Sequence, residues 1–192
     1  MARAKTYYIV HNDHTFWLGK NLFDLFIEFR HRGISISVER RGIPKDKILH
    51  IPYYPIRNEE TFQGFPFDRS NKVVGVSGAN LYKYLLDPEM KYFHAIKDLL
   101  KNNPNFIFCL CGWGDEETVN EFINSNNLQN RFYFLGRRSD FYHVVGMSDI
   151  LFESYPLKGG LVTLFATEQQ IPVLGIANYD NAAGSLEELL DI

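Results

Sequence analysis

The chain contains only two cysteines, Cys109 and Cys111, two apart in an apolar run. In a strand that spacing points both to one face without the geometry of a good disulfide, so they read as reduced core residues. Long apolar runs are missing as well: no stretch approaches the roughly 18 continuous apolar residues of a membrane span. Residues 1–5 (MARAK) lead into no signal-peptide apolar segment, so the expected location is cytoplasmic, and nothing indicates peripheral membrane association. An excess of charge is also lacking. Lys and Arg number 20 against 23 Asp and Glu, for a formal net charge of -3. No global field therefore draws in nucleic acid or an acidic membrane, and any anion has to be held locally. No run is polar or biased enough to stay disordered.

What is present is ordinary globular composition. Hydrophobic residues make up 45% and charged residues 22% of the 192 residues, a length that favours one domain with a substantial appendage. Aromatics reach 15%. Most of such an excess goes into packing, with some rings available to line a sugar or base site.

Residues 6–12 (TYYIVHN) read as a buried strand, and residues 21–30 (NLFDLFIEFR) place Leu22, Leu25, Phe26 and Phe29 on one helical face, which makes a β-α unit. Pro44, Pro52 and Pro55 surround a short apolar strand, the composition of an exit from a domain, and a linker is expected over about residues 52–68. From residue 72 the pattern is regular. Strands at 72–76, 106–110, 131–135, 150–152 and 172–175 alternate with helices at 89–102, 115–124, 140–147 and 161–169. Such alternation with short connections predicts an α/β fold, a Rossmann-like parallel sheet with helices on both faces, preceded by a partial N-terminal β-α segment. Two parts are expected: residues 1–67, a domain remnant with its linker, and residues 68–192, the Rossmann-like domain. Ser185 and Glu188 form a capping box whose helix is left after about two turns, so this domain is expected to be truncated at its C-terminus.

In a doubly wound sheet ligands bind at the carboxyl ends of the strands, so the loops there carry the candidates. The first loop, after Val76, runs Ser77-Gly78-Ala79-Asn80-Leu81-Tyr82-Lys83. Small residues allow close backbone approach and Lys83 supplies one positive charge for a phosphate; the alternative is a solvated surface lysine. The second loop, after Phe152, runs Glu153-Ser154-Tyr155-Pro156-Leu157-Lys158-Gly159-Gly160 and enters a helix near Leu161. Paired glycines at a helix N-terminus expose free N–H groups, the macrodipole adds positive potential, and no acidic residue stands in the first turn, so a diphosphate fits. The alternative there is a tight turn with a solvated Lys158.

Cys111-Gly112-Trp113-Gly114 also offers a G-x-G after a strand, but Asp115, Glu116 and Glu117 follow at once. Those carboxylates cap the dipole and repel phosphate, and the third glycine of a dinucleotide fingerprint is missing, which argues against an NAD site. The third candidate is His11-Asn12-Asp13-His14, after the first strand, where a histidine beside an aspartate serves as a general base or orients a hydroxyl; the alternative is a polar loop. Two histidines and Asp13 have no second cluster of matching spacing elsewhere, so no metal is expected.

Taken in order, Asn80-Leu81-Tyr82-Lys83, then residues 130–136 (NRFYFLG), Ser148-Asp149-Ile150, residues 155–160 (YPLKGG) and Ile171-Pro172-Val173-Leu174 resemble the donor domain of O-GlcNAc-transferase-like and related bacterial GT-B glycosyltransferases. The match covers roughly residues 70–178, and consistent order over that length is more specific than any one motif. The resemblance implies a nucleoside-diphosphate-sugar donor, UDP-linked, with no obligatory metal and no other cofactor. It places Lys83 on the donor diphosphate, the backbone of Gly159, Gly160 and Leu161 with Lys158 around it, and Asn80 and Arg137 as further donor contacts. Residues 11–19 then resemble the end of the acceptor-side domain, where His11 or His14 assists the hydroxyl of a carbohydrate or protein acceptor.

There are departures. The threonine pair that often follows the glycines is Leu161-Val162, with Thr163 nearby, and Leu157 and Phe165 replace the two glutamates of many retaining GT-B enzymes, which leaves stereochemistry open. An intact two-domain enzyme needs roughly 300 residues or more, so this chain is expected to be a glycosyltransferase fragment. A sugar-nucleotide epimerase on the same fold and a non-catalytic nucleotide-sugar-binding module are the alternatives.

Overall fold

The computed structural model describes residues 4–11, 15–52, 54 and 60–176; His14 and the capping box at Ser185 and Glu188 lie outside them. The described residues fall into two compact units, those up to Tyr54 and those from residue 60 to residue 176.

The first unit is a three-stranded parallel sheet, order β1-β2-β3, of β1 (Tyr7–Ile9), β2 (Leu25–Glu28) and β3 (Ile48–His50), with helix α1 (His31–Glu39) between the last two. The helix expected over residues 21–30 is corrected to a 3-10 turn at Lys20–Leu22 followed by the central strand. Periodicity misleads here because a short apolar run fits a buried strand as well as a helix. Pairing decides the matter. Phe26 and Ile27 sit opposite Tyr8 and Ile9 on one side and Ile48 and Leu49 on the other, so both edges of β2 are satisfied. Phe26 is buried against Tyr8, Trp17 and Phe23, whose ring centres lie 5.7–6.3 Å from its own. By propensity α1 is a poor helix, with Gly33 and the β-branched Ile34, Ile36 and Val38. Tertiary contacts hold it: buried Ser37 donates to the buried Glu28 carboxylate, and Arg41 lies over the Trp17 ring at 5.3 Å.

The second unit is a five-stranded parallel sheet, order β6-β5-β4-β7-β8, of β4 (Val73–Asn80), β5 (Phe106–Trp113), β6 (Phe132–Gly136), β7 (Ile150–Phe152) and β8 (Val173–Leu174). Helices α2 (Tyr82–Leu85), α3 (Lys91–Asn102), α4 (Glu116–Ser125), α5 (Phe141–Gly146) and α6 (Gly160–Glu168) lie between them. This is the expected α/β architecture. β5 is buried along nearly its whole length and reads as an unbroken apolar run, as a central parallel strand does.

Alternate residues of β5 divide the core in two. Phe106, Phe108 and Leu110 pack with Phe93 and Ile96 of α3 and Val119 and Phe122 of α4, while Ile107, Cys109 and Cys111 pack with Val144 and Val145 of α5 and Ala166 of α6. Helices therefore cover both faces. The two cysteines are free and buried, and burial pushes the Cys111 thiol up to about 12. Residues 60–67 also belong to this unit, where Phe62, Phe65 and Phe67 pack against the second core cluster.

The order of strands sets the position of the site. From β4 the chain steps through β5 to β6 with α3 and α4 on one face, then returns past β4 to β7 and β8 with α5 and α6 on the other. Direction reverses between β4 and β7, and in such sheets the crevice beyond the carboxyl ends of the two strands at the reversal is where ligands enter. Among the described residues no helix is long and apolar enough to cross a membrane.

Candidate functional site

β4 runs further than its sequence predicts. Ser77, Gly78, Ala79 and Asn80, expected as a loop, continue the strand in register with Leu110, Cys111, Gly112 and Trp113 of β5. The extension is fixed by packing: Ser77 Oγ donates to the Phe152 carbonyl at 2.6 Å, and a Cβ at Gly78 would stand 2.2 Å from the Phe141 ring. β5 likewise runs through Trp113 instead of ending in a G-x-G loop, paired with Ala79 and Asn80 of β4 so closely that a Cβ at Gly112 would meet the Ala79 carbonyl oxygen at 2.1 Å. The carboxylates that follow act as expected from the sequence. Asp115 accepts from the Thr118 N–H at 3.1 Å and caps α4, with Glu116 and Glu117 in the first turn.

Lys83 thus stands on a short helix, between Leu81 and Tyr84, both wholly buried. Its Nζ donates to the Lys158 carbonyl at 3.2 Å and would lie 3.6 Å from a Cβ at Gly159. The ammonium at the end of β4 and the glycine turn after β7 therefore meet at the switch point. Among the described residues no carboxylate pairs with Lys83, and burial pulls its pKa below the ordinary lysine value. Asn80, also at this end of β4, accepts from the Tyr82 N–H at 3.2 Å, next to the turn that carries Lys83.

Across the crevice, α6 begins at Gly160 with Gly159 as an extended N-cap residue. Among the described residues no side chain caps it and no acidic residue stands in its first turn, so the first N–H groups of the helix have no intrahelical partner, with Leu161 exposed beside them. Lys158 is not the solvated lysine of the alternative reading. Its ammonium turns inward to the buried Glu153 carboxylate, 3.0 Å from Oε2, with side-chain exposures of 11% and 1%.

Adjoining the turn is a cavity of about 200 Å³, lined by Gly78 of β4, Cys111 and Trp113 of β5, Arg137 after β6, Phe141 of α5 and Val162 of α6. Val162 is two residues beyond Gly160, so cavity and turn share the start of α6. The volume is below the roughly 300–1,000 Å³ of sites that hold a whole drug-sized ligand, so one flat end of a ligand is what it admits. The Arg137 guanidinium lies 5.3 Å over the Trp113 ring, at the exposed edge of the cavity.

Arg138, next in the chain, is committed elsewhere. It binds both carboxylate oxygens of the buried Asp140 at 2.6 Å and donates to the Gly64 carbonyl at 3.1 Å, while Asp140 also accepts from the Gln63 N–H at 2.7 Å. These bonds tie residues 63–64 to the loop that carries Arg137. The Arg138 guanidinium holds the Asp140 carboxyl below the usual carboxylate range.

Of the histidine candidates, His11 is exposed just after β1 in the first unit, with its N–H donated to Ile9. His14 lies outside the described residues. Trp113, Phe141, Val162 and Glu153 are site features that the sequence did not single out. A hint existed for Trp113, which closes the apolar run of β5, but the other three are brought in by tertiary packing alone.

No family model and no curated protein matches the sequence. Solved structures do match the fold. A TarM variant from S. aureus, in complex with fondaparinux, α-GlcNAc-glycerol and UDP, superposes with a TM-score of 0.66 at 11% identity, covering 90% of this chain and 36% of that one. The pneumococcal O-GlcNAc transferase GtfA with UDP and GlcNAc gives 0.62 at 19% identity, over 84% of this chain and 32% of that one. S. aureus MnaA bound to UDP gives 0.63 at 14% identity, over 82% and 43%. The fold is that of GT-B glycosyltransferases, and the chain spans 32–47% of the length of these and related structures.

Proposed function

We propose that the second unit binds a nucleoside-diphosphate sugar, UDP-linked, as the donor half of an enzyme that transfers the sugar to an acceptor hydroxyl. The observation that carries this reading is the meeting of Lys83 with the Gly159-Gly160 turn at the sheet's switch point. A helix N-terminus with uncapped N–H groups and a half-buried ammonium that has no carboxylate partner among the described residues both favour a dense anion. The adjoining cavity suits a flat base, with Arg137 and Trp113 at its edge and the sugar extending the other way, past the turn. UDP in the neighbouring structures of the same fold supports the choice of nucleotide.

The chemistry follows from that placement. Cleavage of the bond between sugar and diphosphate leaves negative charge on the departing oxygen, and Lys83 with the first N–H groups of α6 are positioned to stabilise it. A charge held in this way needs no obligatory metal. The proton of the acceptor hydroxyl, on a carbohydrate or protein, needs a base to receive it. Calorimetric titration of the chain with UDP, ADP, GDP and CDP in EDTA tests the reading. Saturable binding of UDP is expected, followed by UDP release from a UDP-sugar that accelerates with acceptor. A folded chain that binds none of the four contradicts it.

A further inference from the structure

Glu153 is the first residue after β7, and its N–H donates to the Leu174 carbonyl of β8 at 2.9 Å. Its buried carboxylate gathers the segments around the crevice: Oε1 accepts from Thr163 Oγ1 of α6 at 3.0 Å, and Oε2 lies 3.0 Å from Lys158 Nζ. The space is made to measure. A Cβ at Gly175, just past β8, would fall 2.5 Å from Glu153 Oε2 and 3.3 Å from Lys158 Nζ.

A buried ion pair is weak evidence for stability, since desolvation offsets most of its attraction, but it fixes geometry well. Here the geometry it fixes is that of the glycine turn. With the Lys158 ammonium drawn inward, its carbonyl accepts from Lys83, and the Gly159 N–H belongs to the same planar peptide unit, so both point in set directions. Thr163 closes the arrangement from the helix side, with its N–H and its Oγ1 each 3.4 Å from the Gly159 carbonyl. Charge is arranged to match. Glu153 neutralises Lys158, so among the described residues Lys83 is left as the uncompensated cation at the turn.

We propose that Lys158 is a positioning residue: paired with Glu153, it holds the Lys158-Gly159-Gly160 backbone in the conformation that receives the diphosphate, and it does not contact the phosphates through its own ammonium. This rests on the donor-binding reading above. A lysine that touched phosphate would act through charge, independently of Glu153. A lysine that acts through the pair loses its effect once the pair is gone.

UDP affinity, measured by calorimetry on the full chain, separates these. Glu153→Gln and Lys158→Met are each expected to weaken UDP by about tenfold, the size of one charge-assisted contact. The double variant Glu153→Gln/Lys158→Met is expected to bind no more weakly than the poorer single. It leaves no buried unpaired charge, so it serves as the fold control, with thermal melting to verify it. The salt dependence of binding is a second readout: Lys158→Met keeps the wild-type slope, whereas Lys83→Met flattens it. Additive losses with a flattened slope for Lys158→Met overturn the proposal, as does tighter binding by Glu153→Gln or wild-type affinity in a folded double variant. A folded wild-type chain that does not bind UDP removes the donor-binding reading and this proposal with it.

Discussion

Replacing Lys83 with methionine keeps the length and packing of the side chain and removes only its charge. The free protein already holds this ammonium half-buried and, among the described residues, without a carboxylate partner, so part of its desolvation has been incurred before any ligand arrives. A charge-assisted contact of this kind contributes about 1.5–3 kcal/mol. Coulomb's law at roughly 4 Å and an effective dielectric of about 20 gives about 4 kcal/mol as an upper limit. A net loss of about 2 kcal/mol follows, or about 30-fold in UDP affinity. Stability moves little, because the variant gives up one 3.2 Å hydrogen bond to the Lys158 carbonyl while no longer burying a cation. Calorimetry on wild type, Lys83→Met and the exposed control Lys101→Met measures the effect. If Lys83→Met binds UDP within about twofold of wild type while Lys101→Met does the same, Lys83 does not contact the nucleotide.

The pH dependence has a definite sign. Burial lowers the Lys83 pKa below its ordinary 10.5, and a bound diphosphate favours the ammonium, so binding above the lowered value takes up a proton. UDP affinity should fall as pH rises through that value, with a proton uptake visible as a buffer-dependent enthalpy, and both effects should vanish in Lys83→Arg. In the free protein the folded state holds fewer protons than the unfolded one between the lowered value and 10.5, so this residue's contribution to stability rises with pH there. Asp140→Ala leaves the Arg138 guanidinium without its two 2.6 Å bonds and frees the Gln63 N–H, so urea denaturation should register a loss of about 3 kcal/mol. A loss under about 1 kcal/mol would place that pair among surface salt bridges. The Asp140 carboxyl is depressed by Arg138, so its stabilisation is full above 3.8 and is lost as pH falls through the lower folded value.

The parts of this molecule legible in its sequence are those where local pattern and tertiary environment agree. β5 is an unbroken apolar run because it is central and parallel, and Lys83 and the Gly159-Gly160 turn stand out because both follow strands. Residues 25–28 were misleading because an apolar run with spacing close to that of a helix is held as a strand by pairing with β1 and β3. Ser77 to Asn80 read as a loop because small residues dominate there, yet they continue β4, and at Gly78 the smallness serves close packing against Phe141. The sequence reads Lys158 as a contact around the diphosphate, with a solvated cation as the alternative, and neither reveals its pairing, because Glu153 stands five residues earlier across a turn that no periodicity describes. The cavity joins residues from β4, β5, α5, α6 and the loop after β6, a juxtaposition set by strand order alone.

The most direct measurement is amide chemical-shift mapping of the isotopically labelled chain during titration with UDP in EDTA. Binding at the switch point predicts the largest shifts at Gly159, Gly160, Leu161 and Lys83, continuing to Trp113 and Arg137 around the cavity. Saturable shifts confined to other residues, or none in a folded chain, would contradict the placement of the nucleotide.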